Sequence, residues 1–488
     1  MDSRLTRSLC VAAAALASFA MAGAGTAAGS PAALAGVGHL DSGRSAARAV
    51  PGSQLWAARY NGTGNDEDQA EAVAASPDGA TVFVTGASTG KSATGVDYAT
   101  VAYNATTSSQ LWVARYDSGH GPGNNFDDAH SLAVSPTGKL VFITGGSNGD
   151  YATIGYNATT GKRLWVKRYN GPANSADEAA SVAVSPTGKT VFVTGYSDGT
   201  RSSGDYATVA YNAATGAQLW VKRYNGPGNS FDAAVSVAVS PTGGQVYVTG
   251  HSTGRTSGND YTTVAYNATT GAWLWGKRYN GPGNGADQAT SVAVSPTGKT
   301  VFVTGYGPGR TSATDYATVA YGAATGAQLW VKRYNGPGNS ADQATSVAVS
   351  PTGSQVYVTG SSTGRTSGND YATIAYSATT GKRLWAARYN GPGQGGLGDG
   401  ATAIAVSHRT GTVYVTGYST GTSSSLDYAT IACSATTGKR LWAARYNGPG
   451  NFNDTASAIA VSPTGSQVYV TGYSTADNGD YATIAYSG

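Results

Sequence analysis

The side chains that could do acid–base or metal chemistry mostly recur at a fixed spacing. Of the 27 acidic residues, sixteen form two series of eight, and one Arg before a Tyr accompanies each pair. The first series precedes a Tyr: Asp97, Asp150, Asp205, Asp260, Asp315, Asp370, Asp427 and Asp480. The second precedes an alternating apolar run: Asp68, Asp127, Asp177, Asp232, Asp287, Asp342, Asp399 and Asp454. This register predicts repeated hydrogen-bonded pairs where units meet, while the Asp-, Asn- and Gly-rich loops leave calcium binding open.

Glu and His residues are few in this chain. The chain has three Glu (Glu67, Glu71 and Glu178), which we place in the loop region before the alternating runs, and five His at different phases of the repeat. A quinone-dependent dehydrogenase would need one asymmetric site with a base, a carboxylate-bound calcium ion and cations for the quinone carboxylates. Neither that set nor an isolated acid pair for glycoside hydrolysis stands out. We therefore assign no catalytic, cofactor-binding or metal residue.

The candidate ligand-binding residues are four arginines in Gly-, Ser- and Thr-rich loops. They occupy equivalent places in consecutive units: Arg201, Arg255, Arg310 and Arg365. Loops presented by a rigid scaffold commonly carry recognition, so these arginines could form a basic arc for an anionic glycan or protein surface. The alternative is that they are ordinary solvated loop charges.

The elements that would position these residues form a long repeat. The Trp of a Leu-Trp pair recurs eight times: Trp56, Trp112, Trp165, Trp220, Trp275, Trp330, Trp385 and Trp442. Periods of this length are typical of repeat architectures. Apolar residues alternate within each unit, as in Thr190 to Val193, and Gly, Pro and Asn separate four such runs. Four antiparallel strands repeated eight times predict an all-β, eight-bladed β-propeller.

The order of the runs also predicts how the ring closes. A lone run at Gln54 to Tyr60 opens the repeat region, whereas only three runs remain at its end. The first strand can therefore join the C-terminal blade and complete its sheet, which removes exposed sheet edges.

The repeat resembles two related propeller families. Residues 155–165, GYNATTGKRLW, resemble the tryptophan-docking signature of the pyrroloquinoline-quinone-type repeat, with Asn where that signature has Asp. The whole unit, with YNGPGN before its first strand and VYVTGYS ending its second, resembles the bacterial propeller repeat called SBBP. This resemblance covers residues 53–488 and implies a secreted or surface propeller. Independently, the large Trp is expected to pack flat against the next blade, in an interface otherwise built from Ala, Val and Thr.

The N-terminal residues predict export. Arg4 and Arg7 precede an apolar run over residues 9–22, which is typical of a secretory signal peptide and short for a membrane anchor. We predict a signal peptide over residues 1–28, a flexible linker over 29–52 and the propeller over 53–488. Export would place the protein outside the cell.

Charge and symmetry lead to the functional prediction. A formal net charge of +4 predicts neither a nucleic-acid nor a membrane partner, and no membrane span or oligomer is expected. Nearly equal units favour a secreted binding or scaffold protein that recognises a glycan or a protein through one loop face, without cofactor. The alternative is a pyrroloquinoline-quinone (PQQ) dehydrogenase or another extracellular propeller enzyme.

Overall fold

The computed structural model describes residues 49–91, 95–119, 126–393, 398–475 and 478–488. These residues form 32 strands arranged in eight four-stranded antiparallel sheets, which confirms the predicted eight-bladed propeller. The predicted signal peptide and most of the predicted linker lie outside the described residues. We number the blades 1 to 8 from the sheet that begins with Asp68.

Within each blade the strands follow chain order from the axis outward. The first strands are β2 (Asp68–Ala75), β6 (Asp127–Val134), β10 (Asp177–Val184), β14 (Asp232–Val239), β18 (Gln288–Val294), β22 (Asp342–Val349), β26 (Asp399–Val406) and β30 (Asp454–Val461). The second strands are β3 (Thr81–Thr89), β7 (Leu140–Ser147), β11 (Thr190–Asp198), β15 (Gln245–Thr253), β19 (Thr300–Gly307), β23 (Gln355–Thr363), β27 (Thr412–Thr420) and β31 (Gln467–Ser474). First strands of neighbouring blades contact one another around the whole ring, so they surround the axis.

The third and fourth strands form the outer half of each blade. The third strands are β4 (Val96–Asn104), β8 (Asp150–Asn157), β12 (Gly204–Asn212), β16 (Asn259–Asn267), β20 (Asp315–Gly322), β24 (Asn369–Ser377), β28 (Leu426–Ser434) and β32 (Asp480–Ser487). The fourth strands are β5 (Gln110–Tyr116), β9 (Arg163–Tyr169), β13 (Gln218–Tyr224), β17 (Trp273–Tyr279), β21 (Gln328–Tyr334), β25 (Arg383–Tyr389), β29 (Arg440–Tyr446) and β1 (Gln54–Tyr60).

The ring closes in blade 8, as the order of runs predicted. Strand β1 pairs antiparallel with β32, and the sheet order is β1-β32-β31-β30. Gly52, with φ +82°, precedes β1 and donates its N–H to the carbonyl of Ser487 at 2.8 Å. A Cβ at Gly52 would lie 2.7 Å from the ring of Trp442, so Gly52 takes the place that a turn glycine holds in the other blades.

The repeated Trp docks each blade onto the next, which confirms the packing expected from the sequence. Trp220 in β13 is 8% exposed, and its Nε1–H donates to the carbonyl of Ala268 in blade 4 at 3.1 Å. Its ring faces Gly271, which has φ +67° and where a Cβ would lie 2.8 Å from the indole. The preceding Leu219 is an extra residue in the strand register and is 49% exposed. This bulge lets the Leu-Trp pair bury only the Trp.

Candidate functional site

The Arg before Tyr holds the junction between two blades. Arg223 Nη2 lies 2.9 Å from Asp205 Oδ2 and donates to the carbonyl of Ser197, while Nη1 donates to Tyr169 Oη of the preceding blade at 3.2 Å. Equivalent Arg–Asp bridges occur in all eight blades. The predicted repeated pairs are confirmed, but each Arg–Asp bridge lies within one blade, and the hydrogen bond to the Tyr of the preceding blade crosses the junction. These arginines therefore have a structural role.

The second Asp series has a separate structural role. Asp232 Oδ2 accepts the N–H of Gly226 at 2.5 Å, and its Oδ1 accepts the N–H of Thr253 at 3.0 Å. These bonds fasten the loop arriving from blade 3 to the start of the loop between the second and third strands. Burial raises the pKa of Asp232, and the hydrogen bonds from Gly226 and Ser252 oppose that rise.

The four candidate arginines lie on one face of the ring, in the loops between second and third strands of blades 3 to 6. We call them the arginine arc: Arg201, Arg255, Arg310 and Arg365. All four are exposed, and none takes part in a salt bridge among the described residues. The segment that links blades 3 and 4 contacts the arginine-bearing loops of both blades. Asn229 Nδ2 of this segment donates to the carbonyl of Arg201 at 3.1 Å. Arg255 Nε donates to the carbonyl of Pro227 in the same segment at 3.4 Å.

A second group on the same side of the ring was missed by the sequence reasoning. We call it the axial cluster: Gln69, Glu71, Asp128, His130 and Glu178. These residues lie within the first four positions of the first strands of blades 1, 2 and 3. The expectation that the Glu residues lie in loops is therefore wrong for Glu71 and Glu178. Each alternating run begins at its Asp, so both Glu residues already belong to the strand.

A bulge explains why two of these side chains meet the neighbouring blade. Glu71 and His130 are the extra residues where the register of the first strand shifts. The same place in blade 5 holds Thr290, whose Oγ1 donates to the carbonyl of Ala344 in blade 6 at 3.0 Å. The bulge thus directs its side chain towards the next blade, and blades 1 and 2 place titratable groups there.

The axial cluster is connected by hydrogen bonds and charge. His130 Nε2 lies 3.1 Å from Glu178 Oε1, with the two side chains 8% and 42% exposed. Gln69 Nε2 donates to Glu71 Oε1 at 2.6 Å, and Tyr196 Oη donates to Glu178 Oε2 at 3.1 Å. The partly exposed Glu178 connects the buried Glu71 and His130 with solvent.

The surroundings strongly raise the pKa values of two side chains in the cluster, Glu71 and His130. Burial raises the pKa of Glu71 to about 8, assisted by the charge of Asp128. Burial opposes a charge on His130, but Asp128 and Glu178 outweigh it and raise the pKa of His130 to about 9. At neutral pH the cluster therefore holds an imidazolium at His130 and a protonated carboxyl at Glu71. Such a set can donate and accept protons.

A signal for this cluster is present in the sequence when repeats are compared position by position. At the place of Glu71 and His130, blades 3 to 8 carry Ala180, Val235, Thr290, Thr345, Thr402 and Ser457. At the place of Asp128 and Glu178, blades 4 to 8 carry no acid. The departures therefore fall in adjacent blades and in only two positions of the repeat.

Among the described residues there is no helix of the length and apolarity needed to cross a membrane. No curated protein matches the chain. Solved structures of similar fold include Chaetomium thermophilum Sqt1 bound to the N-terminus of the ribosomal protein L10, with a TM-score of 0.59, 13% identity, and coverage of 86% of this chain and 97% of that one. The quinohemoprotein alcohol dehydrogenase ADHIIG from Pseudomonas putida HK5 has a TM-score of 0.52, 14% identity, and coverage of 89% and 76%. BamB from Moraxella catarrhalis has a TM-score of 0.49, 16% identity, and coverage of 89% and 99%.

A family model matches the sequence over nearly the whole propeller. The model described as outer membrane protein assembly factor BamB matches residues 44–253, 187–318 and 262–484. These ranges span all eight blades. The chain belongs to this family of pyrroloquinoline-quinone-like propeller repeats.

Proposed function

We propose that the protein is a secreted binding or scaffold propeller that recognises an anionic glycan or protein through its loop face. The arginine arc is the observation that supports this proposal. Each of its four members is exposed and lacks a salt bridge among the described residues, whereas the eight arginines that precede a Tyr in the fourth strands are all paired. Unpaired cations repeated on a rigid ring suit a polyanion, since several weak contacts act together.

The quadruple replacement of Arg201, Arg255, Arg310 and Arg365 by Ser tests the proposal. Binding of polygalacturonate and of poly-L-glutamate is measured by calorimetry at two salt concentrations, so that glycan and polypeptide ligands are compared. We expect the wild-type protein to bind at least one of them, with affinity that falls as salt rises, and the variant to bind at least tenfold more weakly. Its melting temperature should stay unchanged because the four side chains are exposed.

The matched control removes the same charge from the opposite face. Lys139, Lys162, Lys189 and Lys299 are exposed in the turns on that face, and all four are replaced by Ser. This variant should bind the polyanion like the wild type. Equal losses in the two variants would show that net charge, and not the arginine arc, governs binding, and would contradict the proposal.

A second candidate function is acid–base catalysis at the axial cluster. The contact between His130 and Glu178 supports it, together with the partial exposure of Glu178. A quinone-dependent reaction has less support. The first strands, which surround the axis, contain no Lys or Arg to neutralise the quinone carboxylates, and His130 is already engaged by Glu178. These residues do not fit the quinone, so we derive no reaction through it.

Two finer assignments belong to the same proposal. We assign the repeats to the SBBP type from their YNGPGN and VYVTGYS motifs, and we propose export through the signal peptide at residues 1–28. N-terminal sequencing of protein collected from culture medium tests export. A mature chain beginning near residue 25 or 29 is expected, whereas an intact Met1 on cell-retained protein would contradict it.

A further inference from the structure

The junction of blades 6 and 7 contains a cavity in the outer half of the ring. Its volume is about 310 Å³. The fourth strand of blade 6 lines it from Ala386 to Tyr389, and blade 7 contributes Ile431 and Cys433 from its third strand. Lys439 and Arg440, at the start of the fourth strand of blade 7, also border it. Both are exposed, so the cavity reaches the protein surface.

The cavity lies where the other blades carry an aromatic ring. Cys433 stands in the third strand of blade 7, and the seven equivalent positions hold Tyr: Tyr103, Tyr156, Tyr211, Tyr266, Tyr321, Tyr376 and Tyr486. In blade 6 this ring packs against Trp330 of blade 5, with centroids 6.1 Å apart. Seven docking Trp rings contact two aromatic rings each, whereas Trp385 contacts only Tyr357 among the described residues. The ring that Cys433 removes is therefore the second partner of Trp385.

A second small residue widens the same space. Ala387 stands in the fourth strand of blade 6, where blades 2 to 5 have Lys: Lys167, Lys222, Lys277 and Lys332. In blade 5 that Lys lies over the turn of the next blade, since a Cβ at Gly381 would be 2.8 Å from Lys332 Cε. Blades 1, 7 and 8 also have Ala here, but each of them faces a blade that keeps the Tyr. Only the junction of blades 6 and 7 combines the Ala with the Cys.

Neighbouring side chains have not closed over this space. Ile431 is 4% exposed, whereas the equivalent residue is 0% exposed in the other seven blades. Thr373, which lines the cavity from blade 6, is 5% exposed, and its seven equivalents are at most 1% exposed. An apolar cavity of about 150 Å³ can already hold benzene. The space at this junction is therefore large enough for an aromatic ring with a substituent.

The charges beside the cavity favour an anion. Arg440 pairs with Cys433 across the two strands, so the two side chains lie on the same face. Lys439 and Arg440 take part in no salt bridge among the described residues, whereas Arg388, the third cation of the lining, lies 2.7 Å from Asp370. Burial raises the pKa of Cys433 to about 11, so its thiol is uncharged at neutral pH. The lining contains no acidic residue.

From these features we propose that the cavity binds a small aromatic carboxylate. The aromatic ring takes the place of the missing Tyr ring and buries apolar surface of both blades. The carboxylate faces Lys439 and Arg440, which can hold it by charge-assisted hydrogen bonds. The site shares no residue with the arginine arc or the axial cluster, so it is independent of the proposed function.

The test titrates the wild-type protein with phenylacetate by calorimetry and follows melting in parallel. We expect one phenylacetate per chain and a melting temperature that rises with its concentration. Cys433→Tyr gives blade 7 the residue of the other seven blades and fills the cavity. This variant should melt at a higher temperature than the wild type without ligand, and should bind phenylacetate at least tenfold more weakly. Cys433→Ala leaves the cavity open and should bind within about threefold of the wild type.

Two turns of the same sequence supply the matched charge control. Replacing Lys439 and Arg440 together by Ser should weaken phenylacetate binding at least tenfold. Lys382 and Arg383 hold the same places in blade 6, where Tyr376 fills the space, and their replacement by Ser should leave binding unchanged. Benzyl alcohol has the ring without the carboxylate and should bind the wild type at least tenfold more weakly than phenylacetate.

Two results would overturn the site itself. One is a wild-type protein that shows neither heat nor a melting shift with phenylacetate, and the other is a Cys433→Tyr variant that binds like the wild type. Equal affinities for benzyl alcohol and phenylacetate, or equal losses in the two charge variants, would overturn the assignment of the carboxylate to Lys439 and Arg440.

Discussion

The Trp contacts between blades and the axial ends of the first strands differ in how strictly they repeat. Every blade places its Trp against the following blade, and seven of the eight Trp side chains are buried. The first-strand ends instead carry Glu, His, Asp, Gln, Thr, Ser, Val, Ala or Gly, according to the blade. Docking must be satisfied at every junction to close the ring, whereas one blade can change a strand end without affecting the other junctions. Within the strands, repetition therefore identifies structural residues, and departures at the first-strand ends identify candidate functional ones.

The largest expected effect comes from removing one docking Trp side chain. Trp220→Ala should lower the free energy of unfolding by about 3–5 kcal/mol, because it leaves a cavity and an unpaired carbonyl at Ala268. Trp273 is the matched control, since it lies two residues before the docking Trp275 and is 50% exposed. Trp273→Ala should cost about 1 kcal/mol or less. Equal costs in urea unfolding would contradict the docking role.

The next test probes the glycine that faces the Trp. Gly216 has φ +69°, and a Cβ there would lie 2.7 Å from the ring of Trp165. Gly216→Ala should cost about 2–4 kcal/mol from backbone strain together with overpacking. Gly368 has the same φ, +69°, with nothing within 4 Å, so Gly368→Ala should cost only about 1–2 kcal/mol of strain. Thermal and urea unfolding of the two variants would separate strain from steric conflict.

The axial cluster should make stability depend on pH. The folded-state pKa of His130 is raised from 6.5 to about 9, so its contribution is fully present below pH 6.5 and is lost as pH rises through about 9. The raised pKa of Glu71, about 8, acts in the same direction. His130→Gln should cost about 1.5–3 kcal/mol near pH 6, and less near pH 10.

His251 is the control for this prediction. Burial lowers its pKa to about 4, so His251 is neutral in both the folded and the unfolded protein above pH 7. The cost of His251→Gln should therefore stay constant between pH 7 and pH 10. The cost of His130→Gln in urea unfolding should change over that range. A constant cost would contradict the assignment of a charged His130 in the axial cluster.

The smallest expected effect concerns one irregular junction. Blade 5 has Gly307 where the other blades have Ser, and Pro308 there has no N–H, so Asp287 lacks two donors. Burial raises the pKa of Asp287 to about 6. A Cβ at Gly307 would meet Asp287 Oδ1. We expect the serine variant to turn Asp287 to the position that Asp232 holds beside Ser252 in blade 4. Gly307→Ser should then stabilise the protein by about 1 kcal/mol at pH 7.5, from the added hydrogen bonds.

This stabilisation should vanish at low pH. A carboxyl with a raised folded-state pKa favours folding below its unfolded value of 3.8 and loses that contribution as pH rises through about 6. The serine lowers the pKa of Asp287 and so reduces the loss at neutral pH. The reciprocal change, Ser252→Gly, should destabilise blade 4 near neutral pH. Melting temperatures of both variants at pH 7.5 and pH 3.5 would check the sign.

The sequence by itself determined the fold of the repeat region. The spacing of the Trp series, the alternation of apolar residues and the turn residues were sufficient for eight blades of four strands, and the unpaired first run was sufficient for closure at β1 (Gln54–Tyr60). These features are local or periodic, so one chain read from end to end contains them. The same reading identified the exposed arginines, because loops between strands lie at the surface.

Only the tertiary structure decided which residues of different blades meet. Glu71, His130 and Glu178 lie about one repeat apart along the chain, and the first-strand bulge brings their side chains across blade boundaries. Ala387 and Cys433 belong to different blades in the same way, and the cavity that they line exists only where blades 6 and 7 pack together. Periodicity within one repeat fixes the face on which a side chain lies. Lateral contact depends on how neighbouring sheets twist and pack, because that packing sets the distance between equivalent positions.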